Sequence, residues 1–248
     1  MQIENQLALK TLDGRLQGVY SQSMNNRDYK EFAPGSYYHV FNRGNGKQNI
    51  FLDNADYKLF LLRLRENLFP KFSIPLKTVF KGIEGRNKSH TSYVRKLLPE
   101  DSFDLVSYCL MPNHYHFLIK QNSDISIAKL ISKICTSYSK IFNKKNENVG
   151  HVFQDKFRAI LVDSNEYLVW LSAYIHNNPK TAGLVKSLLD YPWSSYHDYM
   201  GNRQDSLCKK DIILSQFKKI SDYKKFVDEA SELILEKKEL ENMLLDND

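Results

Sequence analysis

Residues 110–120 read LMPNHYHFLIK, and this stretch decides the fold. Pro112 and Asn113 are a turn signal between two apolar runs, so Phe103 to Leu110 and His114 to Lys120 are expected as the arms of a β-hairpin. Side chains alternate across a strand, which puts His114 and His116 together on one face and Tyr115 on the other. Two imidazoles on one face of rigid backbone can hold a metal ion. The same spacing also suits packing histidines, and the pair acquires its meaning from the rest of the chain.

Working outward, Ser36 to Arg43 (SYYHVFNR) has the aromatic and β-branched character of a strand and ends at the turn-prone Gly44-Asn45-Gly46. A helix follows, capped by Asp53 or Asn54, with Tyr57, Phe60, Leu61, Leu64 and Leu68 at helical spacing up to Pro70. After the hairpin, Asp124 is the expected cap of a second helix carrying Ile127, Leu130, Ile131, Ile134, Tyr138, Ile141 and Phe142. Phe157 to Val162 reads as a strand. A third helix starts near Ser164, and Pro179 is expected to stop it. Two helices against an antiparallel sheet, in the order strand-helix-strand-strand-helix-strand, predict an α+β, ferredoxin-like (split βαβ, RRM-like) fold. The third helix and a C-terminal helical extension would be added to it.

The expected organisation is a polar N-terminal extension over 1–33, a main domain over 34–196 and the helical extension over 197–248. Within the main domain, residues 71–100 read as an insertion, since Pro75, Gly82, Gly85 and Pro99 break any periodicity. It carries seven lysines and arginines against Glu84 and Glu100, with Phe72, Phe80 and Tyr93 interleaved. That mixture of cation and stacking surface suits single-stranded nucleic acid, although it is also the make-up of a solvated loop. The formal charge is +6, but residues 221–248 hold nine acidic and four basic residues, so the preceding body is distinctly basic. A polyanionic partner is expected. No apolar run is long enough to span a bilayer, and the three cysteines form no paired motif, which fits a reducing compartment. The N-terminus lacks the pattern of a secretory signal, so the expected location is cytoplasmic.

Five blocks then carry a resemblance: YYHVFNRGN (37–45), YCLMPNHYHFLI (108–119), GHVFQDKFRAILVD (150–163), YIHNNPKTAGLV (174–185) and YPWSSY (191–196). In this order they resemble the HUH-type single-tyrosine transposases, with a transposase IS200-like domain, and more closely the REP-associated tyrosine transposases of bacteria. The resemblance covers roughly Gly35 to Tyr196. It implies the same ferredoxin-like sheet and a metal-dependent transesterase that cleaves and rejoins single-stranded DNA at hairpin or palindromic sites through a covalent phosphotyrosine.

Carried over by position, the resemblance makes Tyr174 the nucleophile and His114, His116 and Asn178 the ligands of Mg²⁺ or Mn²⁺, with His176 as the alternative to Asn178. Tyr174 and Asn178 are one helical turn apart and can share a face. On pattern alone Tyr174 is equally a packing residue, and Tyr138 is the second choice of nucleophile. His39 reads as a sheet residue rather than a ligand. Arg43, Lys156 and Arg158 are candidate phosphate contacts, as are Lys81, Arg86, Lys88, Arg95 and Lys96 in the insertion. The expected partner is single-stranded DNA or a DNA hairpin, without a membrane, bound by a monomer or homodimer. The rival readings are a hairpin-binding protein on the same fold without catalysis, and a small-nucleotide phosphohydrolase. A histidine-triad hydrolase would need a third alternating histidine, where Leu118 stands.

Overall fold

The computed structural model describes residues 31–70 and 97–245, with side chains to residue 236. Strands β1 (Tyr37–Arg43), β2 (Phe103–Met111), β3 (His114–Gln121) and β4 (Arg158–Val162) form one antiparallel sheet in the order β2-β3-β1-β4. Helix α1 (Asn54–Leu68) links β1 to β2, and α2 (Ile127–Lys145) links β3 to β4. With β1 and β3 central, this is the expected ferredoxin-like arrangement. The insertion residues 71–96, which include Lys81, Arg86, Lys88, Arg95 and Lys96, lie outside the described residues, as do residues 1–30 of the N-terminal extension.

Helices cover both faces of the sheet. On one face Tyr38, Val40, Tyr115, Phe117 and Ile119 meet Phe60 and Leu64 of α1 and Leu130, Ile134 and Tyr138 of α2. On the other, Val106, Cys109, Leu118 and Val162 meet helix α3 (Asn165–Thr181), which packs on α6 (Ile220–Leu245). The short helices α4 (Tyr196–Tyr199) and α5 (Asp211–Leu214) complete this second core with Tyr199 and Ile213. A bulge reconciles β2 with both layers: Leu105 pairs with Ile119 and Ser107 with Leu118, so Val106 is the extra residue. It lets Leu105 and Tyr108, of opposite parity, face the same core.

Local chemistry sets the element ends. Asp53 caps α1 in a capping box with Asp56, and Lys145 ties both carboxylates to the end of α2 at 2.7 Å. Helix α2 is capped by Ser126, not by Asp124 as expected, because the Ser126 hydroxyl accepts the Ala128 N–H directly. At the end of β1 only glycine fits position 44, where a Cβ would stand 2.0 Å from the Gln48 carbonyl oxygen. Trp193 lies flat on Tyr57 at 4.5 Å, and its neighbours cover the edge of β2 through Leu110 N–H to Trp193 O and Ser195 N–H to Tyr108 O.

Helix α3 does not stop at Pro179 but runs to Thr181. Pro179 has no N–H, so the Ile175 carbonyl loses its helical partner. The Asn178 amide Nδ2 donates to that oxygen at 3.3 Å and to Tyr174 O at 3.0 Å. The neighbouring side chain thus replaces the bond that proline removes. His176, on another side of the helix, is fully buried between Ser195 Oγ at 2.8 Å and Tyr223 OH at 2.9 Å. Burial pushes its pKa down to about 3.

Two stability measurements follow from α3. Asn178→Ala should cost about 1 kcal/mol in urea unfolding, and much less in a Pro179→Ala background, where the restored N–H serves Ile175; equal costs would refute the exchange. His176 is neutral in the fold, whereas its unfolded form binds a proton below its ordinary pKa of 6.5. Its contribution is therefore complete above pH 6.5 and is lost as the pH falls toward 3. Between pH 7 and pH 5, His176→Gln should lose roughly 1–2 kcal/mol less stability than the parent chain. An equal loss in both proteins would assign the acid sensitivity elsewhere.

Candidate active site

The central strands assemble the site through their register. β1 opposes β3 with Phe41 across from His116 and Arg43 across from His114, and β4 adds Arg158 across from Phe41. Paired residues share a sheet face. His39, Phe41, Arg43, His114, His116 and Arg158 therefore line the face covered by α3.

The two histidines stand edge to face with centroids 5.0 Å apart. His114 Nδ1 lies 2.6 Å from Asn113 Oδ1, and His116 Nδ1 lies 2.9 Å from His39 Nε2. Burial, and secondarily the Arg43 charge, pushes the His114 pKa down to about 4. Burial holds His116 well below the ordinary range, with His114 and His39 adding to the effect, and lowers His39 to about 3. At neutral pH all three rings are neutral. Neutral imidazole is the form that ligates a metal.

Helix α3 brings Tyr174 onto this face. Its half-buried ring stacks on Trp170 at 5.3 Å and meets His116 and His39 edge-on at 6.1 and 6.3 Å. Asn178, the next turn along, has its amide nitrogen tied to the Tyr174 and Ile175 carbonyls. Its Oδ1 is thereby left to face an outside donor or ion. The structure thus gathers His114, His116 and Tyr174 around one spot, with Asn178 on the tyrosine's own helix.

The alternatives fall away from that spot. Both ring nitrogens of His176 are bonded, to Ser195 and Tyr223, so it has no nitrogen to offer a metal. Tyr138 is fully buried on the opposite face and donates to the Ile50 carbonyl, and burial raises its pKa far above the ordinary tyrosine value. Of the candidate phosphate contacts among the described residues, Arg43 and Arg158 share the histidine face. Lys156 lines a cavity of about 750 Å³ beside α2, with Asn42, Phe153 and Phe157, on the other side of the sheet.

The residue set fits a divalent ion in its donor chemistry. Among the described residues the hydrogen bonds of His114 and His116 run through Nδ1; where Nδ1 is the donor, Nε2 is left to coordinate, and Asn178 Oδ1 adds an oxygen. A mixed nitrogen and oxygen set with two imidazoles suits Mn²⁺ better than Mg²⁺. No group of three or more His, Cys, Asp or Glu suited to hold a metal ion occurs among the described residues, and the Asn178 amide oxygen is the further donor the sequence pointed to. Sequence reasoning assigned His39 no part in this site. Its contact with His116 is cross-strand and becomes visible only once β1 and β3 are known to pair.

Parts of the chain are similar to known proteins. Residues 77–178 match the family model described as Transposase IS200 like, a span that holds His114, His116, Tyr174 and Asn178. A Haemophilus influenzae protein named as a REP-associated tyrosine transposase is 30% identical over 107 residues, in a match that covers 38% of this chain and 60% of the relative's length. A solved structure of a REP-associated tyrosine transposase bound to a REP hairpin overlaps 73% of this chain and 90% of its own, at 14% identity and a TM-score of 0.49. Among the described residues no helix is long and apolar enough to cross a membrane. The resemblance read from the five sequence blocks is thus met, over residues 77–178, by similarity to the model described as Transposase IS200 like.

Proposed function

We propose that this protein is a metal-dependent single-stranded DNA transesterase, cytoplasmic in setting, that cleaves and rejoins DNA at hairpin or palindromic sites through a phosphotyrosine at Tyr174. The observation that carries the reading is the placement of the Tyr174 ring edge-on to His116 at 6.1 Å, on the face of the paired histidines. The domain match and the REP-associated relative support the choice of substrate class.

The chemistry asks three things of the chain. A tyrosine hydroxyl has a pKa of roughly 10, so it must lose its proton as it attacks phosphorus. Its oxygen forms the new ester bond while one P–O bond of the DNA breaks and leaves a hydroxyl end, and the reverse attack by such an end restores the strand. Tyr174 has the fixed position this requires, since Trp170 stacks on it and the histidines abut its edge. His114 and His116 through Nε2, and Asn178 through Oδ1, would hold the divalent ion. When bound, that ion polarises the scissile phosphate and stabilises the charge that builds on it. Arg43 and Arg158 share the histidine face by strand register and would orient the flanking phosphates.

The test uses a labelled hairpin oligonucleotide with single-stranded flanks, Mn²⁺ and a denaturing gel. The parent chain is expected to give a covalent adduct, Tyr174→Phe none, and both to bind the hairpin with affinities within about threefold, because one oxygen is removed with little packing volume. His114→Ala with His116→Ala should abolish the adduct while the chain still melts cooperatively, at a temperature lowered by the cavity and the unpaired His39. An adduct that persists in Tyr174→Phe would move the nucleophile. Tight hairpin binding without any adduct from the parent chain would assign a binding role alone.

A further inference from the structure

The imidazole of His39 is fully buried, yet its only hydrogen bond among the described residues goes to a candidate metal ligand. Its Nε2 stands 2.9 Å from His116 Nδ1, with the two rings nearly parallel at 21° and 5.1 Å apart. Phe41 packs on both rings, at 4.8 Å from His39 and 5.7 Å from His116. His39 Nδ1 is buried with no hydrogen-bond partner among the described residues.

One hydrogen lies between the two facing nitrogens, and it admits two arrangements. If His39 Nε2–H donates, His116 accepts at Nδ1 and must carry its own proton on Nε2, where no lone pair is then left for an ion. If His116 Nδ1–H donates, His39 accepts at Nε2 and His116 Nε2 is free to coordinate. Only the second arrangement serves the site. It requires His39 to hold its proton on Nδ1, and among the described residues no group donates to that atom and so excludes a proton.

We propose that His39 is a positioning residue of the metal centre: as a buried acceptor for His116 Nδ1–H, it fixes the tautomer and the ring plane that present His116 Nε2 to the ion. This rests on the reading of His114 and His116 as metal ligands and adds to it a residue on β1, outside the matched span of residues 77–178. His39 touches neither the ion nor DNA in this role. It acts through His116, as Asn113 Oδ1 does for His114 from the turn of the same hairpin. The two outer partners differ in kind, since Asn113 is part-exposed and His39 is fully buried and held under Phe41.

The experiment is calorimetric titration of Mn²⁺ into the full chain and three variants, with thermal melts in the absence of metal as the control for folding. His39→Phe keeps the ring and removes the acceptor, and should weaken Mn²⁺ binding at least tenfold. His39→Gln can present Oε1 near the former Nε2 position and should bind within about threefold of the parent chain. His114→Ala with His116→Ala should bind no Mn²⁺ at this site. If that double variant binds like the parent, the metal reading fails and the role of His39 falls with it. If the double variant loses binding but His39→Phe does not, or if Gln is as damaging as Phe, the role of His39 alone is overturned. A second readout holds even if His39→Phe does not fold. In ¹⁵N-labelled parent protein saturated with diamagnetic Zn²⁺, long-range ¹H–¹⁵N correlation should show His116 protonated at Nδ1 and bare at Nε2, and the opposite pattern would refute the proposal.

Discussion

The alternation of β3 between two buried faces is the constraint on which the rest of this molecule depends. Helices cover both sides of the sheet, so each residue of β3 belongs either to the aromatic core under α1 and α2 or to the face under α3. Tyr115 and Phe117 stack at 4.7 Å, and Phe60 meets Tyr115 at 5.3 Å and Phe117 at 6.2 Å. Burying such side chains stabilises the fold by about 1.5–3 kcal/mol each. A slip of one residue would turn these rings toward α3 and drive His114 and His116 into an apolar core. The same packing that stabilises the sheet therefore fixes the imidazoles in register with Phe41 and Arg43.

Regular elements were legible because their signals are local. The hairpin turn at Pro112-Asn113, the helical stripe of α2 and the Ser164 cap of α3 each sit within a few residues, and the element order then yields the sheet topology. What escaped the sequence is what depends on distant partners. The Val106 bulge answers the need of β2 to face two cores at once, a need that exists only after both helix layers have docked. The continuation of α3 past Pro179 hinges on Asn178 lending an amide to the backbone, which the usual proline rule does not foresee. The C-terminal residues gave a helical pattern but no hint that Tyr199, Tyr223 and Val227 close the second core.

The site was legible to the same degree. That His114 and His116 share a face follows from two-residue alternation alone. Tyr174 does not, since its spacing from Trp170 and Leu171 is that of any packed helix, and it took the resemblance to single it out from fifteen tyrosines. The structure adds a spatial reason, because Tyr174 abuts the histidine pair, whereas Tyr138 lies on the far side of the sheet with its hydroxyl consumed by Ile50. The cations divide in the same way: Arg43 and Arg158 reach the histidine face by strand parity, and Lys156, in the loop before β4, does not.

Helix α3 joins these levels, because its two sides do opposite work. The side bearing Tyr174 meets the sheet, and the side bearing His176 is clamped by Tyr223 of α6 and by Ser195, whose hydroxyl also bonds the β2 backbone at Tyr108. A consistent donor order runs from Tyr223 OH to His176 Nδ1, from His176 Nε2–H to Ser195 Oγ, and from Ser195 Oγ–H to Tyr108 O. A helix held this way cannot rotate about its axis without breaking a buried chain of hydrogen bonds, each costly to leave unmade. The histidines are fixed by strand register and the tyrosine by this clamp, so the distance between Tyr174 and the histidine pair is set by two independent parts of the core. Ser195 and Tyr223, bonded to His176 on another side of the helix, thereby help determine where the tyrosine ring lies.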